Sequence, residues 1–565
     1  MQQQTFTVRS LVGGFVLAII MAGMNSYLTL KVGLIEEGPI VTMMLFVGVM
    51  MIFGRKVSAS EAAMVATMGS AGGGFGFIAN FFAAFVMIGH PLTLTQMVIF
   101  PTLTSMVGLM VAIPLRQLYV VHNPLPWPTS QGTIAAIEAV TGEGGGKQAK
   151  LLLLFAGLAG AYVLMSSGLG WLPEATLIGA FGLAAYGVGF AWSPFIIGAG
   201  YLIKPRVGFG FLVGAIILAV LAPYLPTPDE PHKFLWPGVM FLVTGGLTTL
   251  AINYRTIGRA LTSLFVRREN RSDTEDRDVV MSPRTFQVLS LVVALACIVV
   301  LAWMFHVVFY ITIAMLAVGG VVFNLVATRA AGESGFNPIR VVAVMLQGVC
   351  ALLGGVGIHI NLTGAGFAAA SIGQTSILVQ DGFFGRHFQI PARWQWLAQL
   401  AVLLPIAGVS ALIFNEINQA YPLSLDGGVL PAPVAKMWAT MALIFSGQGE
   451  LPEHAVTAMW IGGVAGILYA IADGFAAARI ESAAKVGKKS PLRFFPHSTG
   501  IGIALIIPIA YSLSFFLGAL VLCIVLPKVF KVREDTLNTL AAAGIVGEGV
   551  MGLIVIILMA AGVLG

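Results

Sequence analysis

Charge is what this sequence lacks most. Only 10 % of its 565 residues are Asp, Glu, Lys or Arg, while 58 % are hydrophobic. A soluble domain keeps roughly a quarter to a third of its surface charged, so a chain of this composition cannot be dissolved in water and its solvent is lipid. Cysteine is almost absent. Cys297, Cys350 and Cys523 stand singly inside apolar runs, which excludes a disulfide framework and a Cys-based metal site and leaves three small core residues. There is no G-x-x-x-x-G-K-[ST] element, so the chain carries no ATPase of its own. There is also no H-E-x-x-H and no aspartate-rich cluster within a predicted span, which removes the signatures of an intramembrane enzyme. No cofactor and no metal site is implied. The net charge of +6 does not call for nucleic acid, because membrane proteins retain Lys and Arg in their cytoplasmic loops.

What is there is apolar run after apolar run. A bilayer core of about 30 Å takes about 20 such residues per helix, and the chain supplies roughly 14 to 16 spanning or half-spanning segments. The fold class is therefore an all-α polytopic membrane protein, placed in the cell (inner or plasma) membrane. The first run, Leu11 to Leu30, follows Arg9 and meets no small-residue cleavage site, so it is a retained helix. One hydrophilic stretch breaks the pattern, from Arg267 to Arg284. It divides the chain into an N-terminal membrane half at 1–265, a charged cytoplasmic linker at 266–284 and a C-terminal membrane half at 285–565. In the first half Arg9, Arg55, Lys56, Arg116, Lys147, Lys150, Lys204 and Arg206 fall on one side, which puts the N-terminus inside.

The halves look duplicated. LPWPTSQG at Leu125 is answered by LPAPVAKM at Leu430, and FLVGAIILAVLAP at Phe211 by FFLGALVLCIVLP at Phe515. Internal repeats around a central site are a habit of secondary transporters, and the substrate cavity is expected between the halves near mid-membrane. Pro126 and Pro128, and Pro431 and Pro433, precede short segments that read as half-helices, Thr129 to Val140 and Val434 to Phe445. The Gly-rich runs Gly69 to Gly76 and Gly354 to Gly366 read as broken or re-entrant backbone. The alternative for glycines in membrane helices is close helix packing.

An ionisable group inside an apolar span costs about 2.5–3.5 kcal/mol on insertion scales and is a functional candidate by default. Glu61, Glu138, Glu333 and Glu548 are the candidates for carrying a coupling proton. Glu61 and Glu333 have Arg55 and Arg329 close by in sequence, whereas Glu548 sits among apolar residues and glycine. Thr129, Ser130 and Gln131 open a half-helix, where free N–H groups favour a carboxylate. Gln374, Gln380, Asp381, Arg386 and Arg393 follow a Gly-rich run and read as a binding loop, offering both cationic forks and amide or anionic partners.

Four elements carry a family resemblance. Asn25, Tyr27, Lys31 and Gly33 form N-x-Y-x-x-x-K-x-G at the end of the first helix, and Leu125 to Gly132 reads L-P-W-P-T-S-Q-G. Gln380-Asp381 is followed by Ile390-Pro391-Ala392-Arg393 and Gln399, and Gly547-Glu548-Gly549 falls in the last helix. In this order they resemble the oligopeptide transporter family, which includes the yellow stripe-like metal-chelate carriers, in a bacterial-type member. The chain departs from that pattern at Ala392 in place of Pro and at Gly382, and it has no N-P-G element. The resemblance adds Asn25, Tyr27 and Lys31 to the substrate-contacting set. It implies cation-coupled, proton-driven symport of a small peptide or a peptide-like chelate, with no enzymatic activity, and leaves room for a homo-oligomer. A passive channel fits two pseudo-equivalent halves with broken helices less well.

Overall fold

The computed structural model describes residues 7–33, 38–122, 124–142, 145–221, 235–252, 276–334, 337–355, 357–425, 427–447, 455–485, 487–488, 490–560 and 563–564. Helices dominate. In chain order they are α1 (Val8–Val32), α2 (Pro39–Ile52), α3 (Ala59–Phe75), α4 (Ala79–Met87), α5 (Leu94–Arg116), α6 (Pro128–Thr141), α7 (Gly145–Val163), α8 (Pro194–Leu202), α9 (Lys204–Leu221) and α10 (Leu235–Ile252). The second stretch holds α11 (Pro283–Phe305), α12 (Phe309–Ala314), α13 (Asn324–Ser334), α14 (Ile339–Leu352), α15 (Ile358–His387) and α16 (Ala392–Ala420). It continues through α17 (Pro433–Ser446), α18 (Ala455–Lys485), α19 (Ser498–Ala504), α20 (Ile509–Leu520), α21 (Leu526–Lys528) and α22 (Glu534–Ala560). Among the described residues 11 helices are long and apolar enough to cross a membrane, and four shorter apolar helices accompany them. The protein is an all-α, multi-pass membrane protein. Among the described residues the one sheet is a two-stranded antiparallel pair, Ala175–Leu177 on Gly189–Ala191.

Local chemistry sets the ends of these helices. Thr7, Ser58 and Thr93 begin α1, α3 and α5 as capping boxes, each closed by the residue three positions on. Gly33 ends α1 in the left-handed conformation at φ 73°, a geometry that costs glycine nothing. The glycines of Gly69 to Gly76 do not form a re-entrant break. Most of them lie within α3, and one 3-10 turn, Gly76–Ile78, joins α3 to α4 in a single 29-residue span. Their role is contact. A Cβ on Gly72 would stand 2.0 Å from the main-chain oxygen of Ala18, so the run lets α1 lie against α3. In the second Gly-rich run, Gly354 takes a turn at φ 85°, Gly355 and Gly357 precede α15, which begins at Ile358, and Gly364 and Gly366 lie within the helix.

Element lengths recur along the chain. The spans Ala59–Met87 and Ile358–His387, of 29 and 30 residues, each follow a 14-residue helix, α2 or α14. Each is succeeded by a 29-residue span, Leu94–His122 or Ala392–Ala420, and then by a 14-residue helix that opens on proline, α6 or α17. Trp127 and Ala432, just before those prolines, are both buried and both left-handed at φ 43° and 40°. The short helices foreseen at the two L-P-x-P elements are therefore present at both.

Two compact units make up the chain. One comprises Met1–Lys150, Arg255–Gln419 and Val434–Gly449; the other comprises Leu151–Tyr254, Ala420–Pro433 and Glu450–Gly565. Each unit thus draws on both the 1–265 and the 285–565 stretches. In the first, α15 is buried along its whole spanning window and packs on α3, α5, α14 and α16-side residues such as Gln395 and Gln399. In the second, α8 and α9 pack on α20, and Phe211 stacks on Phe515 with ring centroids 4.4 Å apart. These two phenylalanines head the matched F-x-x-G segments of the sequence.

Candidate functional site

The first unit holds a polar seam inside an apolar bundle, and Asp381 of α15 is at its centre. Gln374, Gln380, Asp381 and Arg386 lie on this 30-residue helix and not on a loop. The misreading has a physical cause. A helix enclosed on every side has no polar face, so its sequence shows no amphipathic period, and small polar residues then resemble a loop. Asp381 is fully buried. One carboxylate oxygen, Oδ2, contacts the Ser70 hydroxyl of α3 and receives the Gln399 Nε2 amide of α16 at 2.8 Å. Gln399 Oε1 accepts from Gln374 Nε2 at 2.7 Å. Gln395, one turn before Gln399, donates from Nε2 to Thr67 Oγ1 at 3.0 Å and to the main-chain oxygen of Asp381 at 2.8 Å. Helix periodicity explains the set. Gln374 and Asp381 are seven residues apart, Gln395 and Gln399 four, Thr67 and Ser70 three, so each pair shares one helix face.

The half-helix α6 joins the same region. Ser130 donates to the main-chain oxygen of Gln380 at 2.7 Å, which seats the start of α6 on α15 within a turn of Asp381. Thr129 is half-buried and its carbonyl accepts the Thr133 hydroxyl at 3.1 Å. Gln131 points outward and donates to Pro126 O at 2.6 Å. Structure therefore brings together Ser130, Gln374, Gln380 and Asp381. Ser70, Thr67 and Gln395 complete the seam, and nothing but their helical spacing in apolar runs marks them in the sequence.

Close to the seam lies a buried ion pair that a third, partly exposed arginine approaches. Arg116 of α5 pairs with Asp278 at 2.9 Å, and Arg386 Nε approaches the other oxygen of Asp278 at 3.5 Å. Asp278 closes the short 3-10 turn Asp276–Asp278; residues 267–275 of the charged stretch lie outside the described residues. Gly382 now has a reason, because a Cβ there would stand 2.8 Å from Arg116 Nε. A narrow cleft, with room for about one water molecule, touches both features and is lined by Arg116 and by Gln395, Leu378 and Trp396 among others. Arg393 is exposed at the start of α16, its guanidinium 5.6 Å from the Trp394 ring.

The other candidates are distributed elsewhere. Asn25 donates to Gly73 O at 3.1 Å between α1 and α3, and Lys31 donates to the Tyr27 hydroxyl at 3.3 Å. Arg340 of α14, which the sequence reading missed, donates to Gly33 O at 2.6 Å just beyond Lys31. Glu61 is bound by Arg9 through two contacts of 2.9 Å and by the Thr7 hydroxyl at 2.5 Å, while its carboxylate also closes the Ser58 capping box. Glu138 is exposed and meets His387 at 2.9 Å. The side chain of Glu333, on α13, lies outside the described residues. Glu548 belongs to the second unit, where it accepts the Ser193 hydroxyl at 2.6 Å and Phe195 N–H at 2.9 Å, capping α8.

Comparison with known proteins decides what kind of molecule this is. The family model described as "OPT oligopeptide transporter protein" matches residues 5–230 and 236–559. The chain belongs to the oligopeptide transporter family. It is also similar to "Putative oligopeptide transporter YGL114W" of Saccharomyces cerevisiae, 24 % identical over 271 residues. That match covers 46 % of this chain and 35 % of the yeast protein. Oligopeptide transporter membership makes the chain one of a family of membrane transporters, with the polar seam of α3, α15 and α16 inside its spanning region.

Proposed function

We propose that this chain is a secondary active symporter that imports small peptides or peptide-like molecules, with the proton as coupling cation. Family membership supports transport, and the name of the yeast relative supports an oligopeptide-like cargo. The observation that carries the mechanism is the buried seam around Asp381. Polar side chains deep in a membrane bundle are costly and persist where they serve a path or a switch. A peptide offers a carboxylate, an amine and amides. We assign its polar groups to Gln374 and Gln380 on α15, Ser130 on α6, and the Tyr27–Lys31 pair at the end of α1. Lys31 supplies the positive charge that a carboxylate needs. Glu61 and Glu548 are less suited to a mobile proton, because each holds structural donors in place as a capping carboxylate.

The test is uptake into liposomes of labelled tripeptides to pentapeptides, with iron chelates as a parallel arm, with and without an imposed pH gradient. Peptides should accumulate only with an inward proton gradient, and an ionophore should abolish the accumulation. Accumulation that persists after all ion gradients are removed would refute the symport mechanism. Uptake of chelates and of no peptide would replace the cargo.

A further inference from the structure

Arg340 stands in the first turn of α14 with little to bond. A guanidinium carries five donor hydrogens, and one of them is engaged, from Nη2 to Gly33 O at 2.6 Å. Its Nε–H is buried without an acceptor, and among the described residues no carboxylate lies within ion-pair distance. Glu61, Glu138 and Asp278 of the same unit face Arg9, His387 and Arg116. Protein encloses the guanidinium on all sides, yet the residue keeps part of its surface accessible, as a side chain lining an internal recess does. The backbone adds to the same charge. Pro338 is the N-cap of α14 and no side chain caps the helix; Asn337 Oδ1, one residue earlier, accepts no hydrogen bond. Val341 and Val342 N–H close on Pro338 O, which leaves those of Ile339 and Arg340 without an acceptor among the described residues. Side chains in a helix lean toward its N-terminus, so the guanidinium and the positive end of the dipole share one place, an arrangement that an anion relieves.

We propose that Arg340 and the start of α14 form an anion site, and that its ligand is the carboxylate of the imported peptide. Capping the end of α1 at Gly33 uses one hydrogen of Arg340 and needs only a positive charge, so it leaves the other four unexplained. A planar carboxylate takes two bonds from the guanidinium fork and a further one from the first N–H groups of α14. Lys31, two residues before Gly33, adds a second positive charge at the end of α1. The surroundings are built to hold the arginine in place. Trp438 Nε1 of α17 donates to Arg340 O at 3.2 Å, and Gln347 Nε2 donates to Trp438 O at 3.0 Å. Phe77 meets the Trp438 ring edge-on at 5.7 Å and lies 5.9 Å from the guanidinium. Gln347 is two turns along the face of α14 that carries Arg340, and its Oε1 is buried with no partner, an acceptor for an amide N–H of the same cargo. The anion site stands on this geometry alone; its assignment to a peptide rests on the import reading above.

Calorimetric titration of the purified full chain in detergent with trialanine and with its C-terminal amide tests the assignment. Wild type should bind the free acid about ten- to a hundredfold more tightly than the amide. Arg340→Gln should bind both at the level of the amide. Arg340→Lys, which keeps the charge for capping α1 but not the fork, should lose most of the discrimination while melting like wild type, and it serves alone if Arg340→Gln does not fold. Equal binding of acid and amide by wild type, or full discrimination in both variants, would overturn the carboxylate role of Arg340. If wild type binds neither peptide, the cargo reading fails, and melting in acetate against acetamide then reads the anion site by itself. Acetate should raise the melting temperature of wild type more than that of either variant, and an equal response in all three would overturn the site.

Discussion

Replacing Asp278 by Asn should destabilise the first unit far more than a change of one atom suggests. Arg116 and Asp278 have side chains only 4 % and 3 % exposed. Removing the negative charge while keeping the shape leaves a guanidinium buried without its counter-charge. Breaking a buried pair from one side costs about 3–5 kcal/mol. Arg386 changes little in this sum, because it is 43 % exposed and exposed pairs contribute only about 0–1 kcal/mol. The main-chain oxygen of Asp278 would keep its bond from Gln117 Nε2, 2.6 Å long, so the loss is confined to charge. At about 1.4 kcal/mol per decade, the unfolding equilibrium should move by two to four decades, read by denaturant titration in detergent. The double variant Arg116→Met with Asp278→Leu should recover most of the loss, since a well-packed apolar pair replaces a buried ion pair at little cost. An Asp278→Asn protein within about 1 kcal/mol of wild type, or a double variant no better than the single one, would refute this reasoning.

Two further outcomes follow from packing and titration. Gly72→Ala should destabilise by about 1–3 kcal/mol, because its Cβ would meet the backbone of Ala18 at 2.0 Å, whereas Gly74→Ala should cost less, since it meets only the end of the Ile377 side chain; thermal unfolding of the two separates them. His497 caps α19 by accepting Thr499 N–H on Nδ1 at 3.1 Å, and burial lowers its pKa below the ordinary 6.5, with nearby Arg206 acting the same way against the opposing pull of Asp473. The unfolded chain therefore takes up the proton first, so stability should fall as pH drops below about 6.5, and His497→Asn, which can still cap, should flatten that slope in pH-resolved melts.

Much of the architecture can be read without coordinates, and the reason is energetic. Lipid admits only helices of a given length, so hydropathy alone identifies spans such as Pro283–Phe305 and Ile358–His387. Proline at the start of α6 and α17 marks both short helices because its ring suits a first turn and breaks an interior. The seam was legible in part. Gln374, Gln380 and Asp381 stand out as polar residues in an apolar stretch, but their helical state does not, because α15 is enclosed on all sides. Their partners Thr67, Ser70 and Gln395 come from helices more than 300 positions away or from the next span, and no spacing rule links them. The reading of Arg386 as a substrate clamp overlooked Asp278, which belongs to a stretch that looks like a solvated linker yet ends buried between two arginines. Glycines invite two opposite readings, and only the 2.0 Å approach at Gly72 decides for close packing.

Proton movement recorded in vesicles that start with equal pH on both sides tests the central claim most directly. A saturating pulse of tripeptide added outside should carry protons inward, acidifying the lumen in step with labelled peptide entry. Peptide entry with no change in lumenal pH, under conditions where a protonophore control reports normally, would contradict proton-coupled import by this chain.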